Sequence, residues 1–308
     1  MSVLLGLLAA ATYGSSDFLA GLASRRLPPI VVTAAAQAVC LVVGVIAVAF
    51  YPGDGMSGRI LVWGVASGLG AAGGTFALYR GLGGGEMSIV ATLSGLLTAV
   101  IPVIVGLATG DSLSAMAAVG IVAAIPAIGL VSWQSGDHSG AGRSDALWGI
   151  LAGLGFGLLF VGYDRAGSGA GGWPLVVAEG TATLLTLGPA LVAVSRLRRR
   201  GPEAGTGEED MADASASVRS ASRAGPVTDG RTLALLLAAG LLAGIANLSF
   251  VVATHHGELA VVAVLTALYP GFTVILARLV LGERWSSAQK LGLATALVAT
   301  FLVSLGSA

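Results

Sequence analysis

Residues 85–132, GEMSIVATLSGLLTAVIPVIVGLATGDSLSAMAAVGIVAAIPAIGLVS, return without a gap as residues 257–304, GELAVVAVLTALYPGFTVILARLVLGERWSSAQKLGLATALVATFLVS. Gly85-Glu86 becomes Gly257-Glu258, Gly110-Asp111 becomes Gly282-Glu283, Gly120 becomes Gly292, and Leu130-Val131-Ser132 becomes Leu302-Val303-Ser304. Between these anchors Val90, Ala91, Leu93, Leu96, Leu107 and Ser114 meet identical residues in the same register. Agreement sustained through long apolar stretches marks a duplicated unit. Duplicated halves built of membrane-length helices are typical of carriers that alternate access to a central site.

Composition points the same way. Apolar residues make up 55% of the 308, charged residues 10%, and the mean hydropathy is +0.89. So few charges cannot cover the surface of a water-soluble domain of this length. The formal net charge is zero, which gives no electrostatic reason to expect a nucleic-acid partner. Cys40 is the single cysteine, so disulfide frameworks and cysteine-based metal clusters are excluded, and no cofactor or metal is expected. One lysine, Lys290, among 16 basic residues, with abundant Ala and Gly, suggests a GC-rich bacterial genome.

A helix needs about 20 apolar residues to cross a hydrocarbon core about 30 Å thick. Ten stretches qualify: 2–23, 29–51, 60–80, 87–109, 114–133, 146–163, 173–195, 231–254, 258–281 and 287–306. A polar break at 134–145 divides them five and five, and an odd number of spans turns the second unit upside down relative to the first. The expected fold class is an all-α membrane protein of ten transmembrane helices in two inverted five-helix repeats, 1–140 and 143–308. The link 196–230, with RLRRR at its start and Glu203, Glu208, Glu209, Asp210 and Asp213 among Gly, Ala and Ser, has no packable apolar face and is expected to be disordered.

Basic residues orient the chain. Links after odd-numbered spans carry Arg25, Arg26, Arg80, Arg143, the Arg196–Arg200 cluster, Arg219, Arg223, Arg231, Arg278, Arg284 and Lys290; the others carry Arg59 and Arg165. Positive charge is retained on the cytoplasmic side, so both termini are expected outside. The first span has no basic residue before it and reads as a retained span rather than a signal peptide. Small residues at four-residue spacing, Gly64/Gly68, Gly70/Gly74, Gly149/Gly153/Gly157 and Gly240/Gly244, suit close helix packing. Pro102, Pro126, Pro189 and Pro270 each remove an amide donor, so kinked or locally opened helices are expected there.

These residues resemble a known pattern. Tyr13-Gly14-Ser15-Ser16-Asp17-Phe18 in the first span, Tyr269-Pro270 followed by Gly282-Glu283, and Gly292 are similar to the EamA-type ten-helix carriers of the drug/metabolite transporter superfamily. The resemblance covers nearly the whole chain outside the 196–230 link. It departs from the pattern where Thr98 stands in the first half against Pro270 in the second, where Asp111 replaces the usual Glu, and in the length of that link. The resemblance implies a secondary carrier, commonly an exporter of amino acids, metabolites or toxic compounds, in the bacterial cytoplasmic membrane. Its partners would be a small-molecule solute, the lipid bilayer and a coupling proton or counter-substrate, with an uptake carrier or a non-transporting scaffold as alternatives.

Charge inside hydrocarbon is costly, about 2.5–3.5 kcal/mol for an Asp, Lys or Arg at a helix centre. Asp17 in the first span and Glu179 in the seventh therefore stand out as proton-binding or amine-binding carboxylates, against the alternative that each is hydrated or paired with an arginine. Gln37, Asn247 and Tyr13 are the deep neutral polar residues; together with Tyr269 they complete the substrate-binding or coupling candidates. The pair His255-His256 is a candidate pH-sensing gate or a simple interfacial turn. Arg80 is expected to snorkel or to pair with Glu86, and Asp111 and Glu283 to cap the helices that follow them. Tyr163-Asp164 and Gly110-Asp111 superficially resemble the paired motifs of intramembrane aspartyl proteases, but in reversed order and at helix ends. No HExxH, GxSxG or Walker motif is present, so no catalytic residue is assigned.

The arginine distribution yields a direct test. In a background with Cys40 replaced by Ala, a cysteine introduced by Ser215→Cys should resist an impermeant thiol reagent in intact cells and react after permeabilisation. Ready labelling in intact cells would reverse the orientation.

Overall fold

The computed structural model describes residues 1–84, 87–111, 113–132, 143–199, 229–281 and 286–306, and among them helices are joined by turns without any strand. The elements are α1 (Ser2–Ser24), α2 (Pro29–Phe50), α3 (Gly58–Gly84), α4 (Met87–Ala108), α5 (Ala115–Ser132), α6 (Arg143–Arg165), a 3-10 turn at Ser168–Ala170, α7 (Trp173–Arg199), α8 (Gly230–Thr254), α9 (Leu259–Thr266), α10 (Tyr269–Leu281) and α11 (Ser287–Gly306). Helices α1, α2, α3, α6, α7 and α8 are long and apolar enough to cross a membrane; the other spans show shorter apolar stretches, 93–108, 115–127, 259–273 and 290–299. Their outer faces carry exposed Leu4, Ile46, Leu184, Leu191 and Leu297, which suits hydrocarbon surroundings and not water. The protein is a multi-pass, all-helical membrane protein.

Of the expectations from sequence, the opening at Pro270 is met and two others change. The ninth span is broken: the backbone turns at Ala267 and Leu268, between α9 and α10. Pro270 has no N–H to offer the carbonyl one turn back, and the chain passes the gap with tighter bonds, Leu268 N–H to Leu265 O at 3.3 Å and Gly271 N–H to Leu268 O at 2.9 Å. Helices α4, α5 and α7 run on through Pro102, Pro126 and Pro189. First, α7 continues to Arg199, so the first basic residues of the 196–230 link are helical. Second, Asp111 does not cap α5: its Oδ2 accepts the Ala260 N–H at 3.0 Å and so caps α9, a helix distant in sequence whose first turn needs an acceptor. Glu86, Glu283 and residues 200–228 lie outside the described residues. Arg80 is exposed at the end of α3.

The bundle closes through small residues. Helix α3 packs on α6 and α7, α2 on α7 and α8, α1 on α8, α9 and α10, α4 on α6 and α9, and α5 on α11. Where α3 crosses α6, a Cβ on Gly155 would lie 2.6 Å from both the Cα and the N of Gly74, so the two backbones touch. Gly64 and Gly68 admit Val177 and Thr181 of α7; Gly149, Gly153 and Gly157 admit Leu93, Leu97 and Ile101 of α4; Gly240 and Gly244 admit Val39 and Val43 of α2. All four glycine series read from the sequence thus face a neighbouring helix. In lipid, where tails are as apolar as leucine, such close approach supplies the dispersion contact that holds helices together.

One end of the bundle is tied by its connections. Gly53 (φ 59°) and Gly171 (φ 57°) sit against each other in left-handed conformations that side chains disfavour, and the Asp54 and Gly172 amides bond to Gly169 O (2.8 Å) and Tyr51 O (2.9 Å). Nearby, Arg59 Nε donates to the Arg165 carbonyl at 2.6 Å, and the Arg165 guanidinium reaches Thr109 Oγ1.

The α3–α6 crossing is testable by volume. Gly155→Val should lower the thermal midpoint of the purified protein, by an overpacking cost of about 1–3 kcal/mol. Gly73→Ala, whose new methyl meets nothing within 4 Å, should leave the midpoint unchanged or slightly raised. Equal midpoints for the two variants would rule out backbone contact at this crossing.

Candidate functional site

Glu179 lies two turns into α7 and is fully buried. Its surroundings are made by neighbours that can come close: Gly44 of α2 abuts Leu175 and Val176, and Gly68 of α3 abuts Ala178 and Thr181. From α8, Asn247 Nδ2 donates to Glu179 Oε1 at 2.9 Å; from α6, the Tyr163 hydroxyl approaches the same oxygen at 3.4 Å. Asn247 in turn accepts the Tyr13 hydroxyl of α1 on its Oδ1. Both ends of the Asn247 amide are therefore used, and one carboxylate oxygen is held by helices α6 and α8 with α1 behind them. The other, Oε2, has no hydrogen-bond partner among the described residues. A buried acceptor without a donor is costly, by about 1–3 kcal/mol and more when charged.

That unpartnered oxygen belongs to a side chain on the wall of a cavity between α1, α2, α3, α4, α6, α7, α8 and α10. The cavity offers about 50 Å³ of water-sized space. Since about 10–15 Å³ on this measure admits a water, it holds a few waters or a small group. All six residues singled out as substrate-binding or coupling candidates line it: Tyr13, Asp17, Gln37, Glu179, Asn247 and Tyr269. Gln37 Nε2 donates to Thr75 Oγ1 at 3.4 Å across to α3. Neither Asp17 nor Glu179 forms an ion pair with an arginine among the described residues.

The sequence reading missed part of the wall. Tyr79 and Thr75 from α3, Thr98 from α4 and Phe156 and Phe160 from α6 also line the cavity. Aromatic and hydroxyl side chains carry little penalty in an apolar span, so nothing in the pattern marks them. Thr98 was visible only as the first-half position that faces Pro270 in the repeat. Tyr13 packs against Phe160 and Tyr269 with ring centroids 5.8 and 6.4 Å away, and Phe160 stacks on Phe250 at 4.1 Å. The break before Pro270 sets Tyr269 at the start of α10, and Thr273 Oγ1 donates to the Gly14 carbonyl at 3.0 Å, tying α10 to α1. Gly14 has no room for a side chain there, because Tyr269 O and Phe272 Cβ occupy the space.

The histidine pair lies apart from the cavity, just past α8. His256 is exposed, whereas His255 faces inward, with its Nδ1 2.9 Å from the Tyr51 hydroxyl at the end of α2. Burial, with His256 beside it, lowers the His255 imidazole below its ordinary range. The neutral ring is favoured in the folded protein.

Known proteins place the chain. The model of the EamA-like transporter family matches residues 143–305. A solved structure titled only as the crystal structure of a protein superposes with a TM-score of 0.68 over 99% of this chain and 98% of its own, at 18% identity, a likeness of fold alone. No curated protein matches the sequence.

The hydrogen-bonded cluster predicts a stability effect. Asn247→Leu leaves Glu179 Oε1 and the Tyr13 hydroxyl without this partner and should cost about 1–3 kcal/mol, read as a lower thermal midpoint in detergent. Glu179→Gln in the same background should recover part of the loss, because a neutral amide is cheaper to bury. No recovery in the double variant would show that Asn247 acts by packing and not by serving the carboxylate.

Proposed function

We propose, for a chain that belongs to the EamA-like transporter family, a secondary carrier that exports a small organic solute from a bacterial cell by alternating access, coupled to a proton or a counter-substrate. Its moving parts are two inverted five-helix units, 1–140 and 143–308, with α9 and α10 together forming the ninth span. The observation that carries the proposal is the fully buried Glu179, with one oxygen unpartnered on the wall of a cavity between both units.

Packing partners support the inverted arrangement. Exchanging the units turns the α3–α6 contact into α8–α1, α3–α7 into α8–α2, and α4–α6 into the contact of α9 and α10 with α1; each of these pairs is present. The α2–α7, α5–α11 and α4–α9 contacts map onto themselves. Such a relation gives the chain two packings of similar energy, which is what alternating exposure of one central site requires. Glu179 and Asp17 act as coupling carboxylates in this reading, with Tyr13, Gln37, Asn247 and Tyr269 as contacts for the solute. The His255–Tyr51 bond joins the end of α8 to the end of α2, and in this reading the pair His255-His256 serves as a gate.

The carboxylates test the reading. Glu179→Gln and Asp17→Asn mimic a permanently protonated group while keeping its shape. In proteoliposomes presented with amino acids, amines, sugars and nucleosides, the wild type should accumulate at least one solute when a pH gradient is imposed. The Glu179→Gln protein should fold but lose gradient-driven accumulation, with solute exchange retained because exchange needs no proton release. Wild-type gradient dependence in both variants would remove the carboxylates from coupling, and absence of flux for every solute would favour a scaffold.

A further inference from the structure

We propose that the solute is a monovalent organic cation, a protonated amine on an aromatic or apolar body, with Glu179 as its charge partner. The proposal rests on the carrier reading above and names its substrate class.

Charge selects the class. Among the described residues, the ionisable side chains on the cavity wall are the carboxyls of Asp17 and Glu179, the thiol of Cys40 and the phenols of Tyr13, Tyr79 and Tyr269, with no lysine, arginine or histidine. Thiols and phenols are neutral at pH 7, so the charge these residues can carry is negative. An anionic solute would meet like charge without a counter-ion among these residues, which repels it. A cation meets the opposite sign.

Hydrogen-bonding capacity narrows it further. A neutral polyol needs donors and acceptors in balance, but the two side-chain amides on the wall are already engaged: Asn247 bonds through both ends, and Gln37 donates to Thr75. What remains open can accept throughout. Glu179 Oε2 has no donor, and Asp17 forms no ion pair among the described residues. The Thr98 and Tyr269 hydroxyls are likewise without a partner and can each accept as well as donate. An ammonium group brings up to three N–H donors and no acceptor, which matches this deficit. Because Oε1 is held by Asn247 and Tyr163, the carboxylate is already oriented and little freedom is lost when Oε2 takes the cation.

The cavity as it stands has room for the ammonium end of such a molecule, and the apolar wall around it suits the body once the helices part. Tyr13, Phe156, Phe160 and Tyr269 line the same cavity as the carboxylate, and ring faces attract cations as well as apolar groups. The sign of the pH effect follows from competition between proton and cation for one carboxylate. Facing Glu179 are Tyr163 from α6, Tyr13 and Asp17 from α1, Cys40 from α2, and across the cavity Tyr79 from α3 and Tyr269 from α10. Helices α4 and α8 contribute the non-titrating Thr98 and Asn247. Only the two carboxyls change charge below about pH 8, so cation affinity should fall as pH falls.

The test uses three compounds of similar shape: 2-phenylethylammonium, 2-phenylethanol and phenylacetate, with full-length protein in lipid nanodiscs at pH 7.5. The cation should raise the thermal midpoint saturably and bind about tenfold or more tightly than the alcohol, with phenylacetate inert. Its affinity should weaken on going to pH 5.5, and Glu179→Gln, checked for an intact elution profile and unliganded midpoint, should lose the preference for cation over alcohol. If Glu179→Gln does not fold, Asp17→Asn and the wild-type pH dependence carry the test: a weaker cation preference in Asp17→Asn together with weaker binding at pH 5.5 supports the proposal. Equal or tighter binding of the alcohol or of phenylacetate, or cation affinity independent of pH, overturns it. Flux of a neutral or anionic solute alone would overturn the cation proposal and leave the carrier intact, whereas selective cation binding without cation flux would overturn the carrier and leave the site.

Discussion

A carboxylate enclosed by hydrocarbon is the constraint around which this bundle is arranged. Glu179 cannot reach water through the side of α7, so its charge or its proton must be accommodated by other helices. Asn247 and Tyr163 do this for one oxygen, and Tyr13 completes the shell by satisfying the far end of the asparagine. Four helices, α1, α6, α7 and α8, are thereby linked through a single side chain. Removing any member leaves another buried polar group exposed to an apolar environment, so the cluster specifies their relative register as much as it adds energy.

The shell is reachable only because the helices approach closely. Gly44 and Gly68 let α2 and α3 lie against the α7 backbone on either side of Glu179, and Gly155 brings α6 onto α3 at Gly74. A leucine at any of these positions would hold the axes apart and move the donors away from the carboxylate. Packing and chemistry are therefore one problem here: the abundance of glycine that looks like low complexity in the sequence is what places polar groups within hydrogen-bond distance.

The ninth span shows the same coupling between backbone and site. Pro270 ends the α-helical bonding of α9, and the next helix begins with Tyr269 facing the cavity. The break is stabilised at both flanks, by Asp111 at the start of α9 and by the Thr273 bond to Gly14 in α10. Discontinuous helices of this sort are tolerated at membrane depth where the freed backbone is covered by protein or lines a cavity. Helix α4, which aligns with this span in sequence 172 residues earlier, has Thr98 at the position of Pro270 and remains continuous.

The sequence by itself determined the membrane environment, the helical class and the residues that cannot sit idle in it. Asp17, Glu179, Gln37 and Asn247 were legible because polar and charged groups in apolar spans carry a cost that composition exposes at once, and the glycine series were legible because packing in lipid depends on periodic small residues. Tertiary structure decided what those residues meet. Tyr79, Thr75 and Phe160 give no local signal, since a ring or a hydroxyl is cheap in any apolar helix, and only the crossing of helices brings them to the cavity. Asp111 has the local chemistry of a cap for α5, yet it serves α9, because a side chain between helices bonds to whichever amide the fold brings nearest. Four prolines have the same local chemistry and one of them opens its helix. Local covalent geometry states what a residue lacks, whereas the neighbouring helices decide how that lack is met.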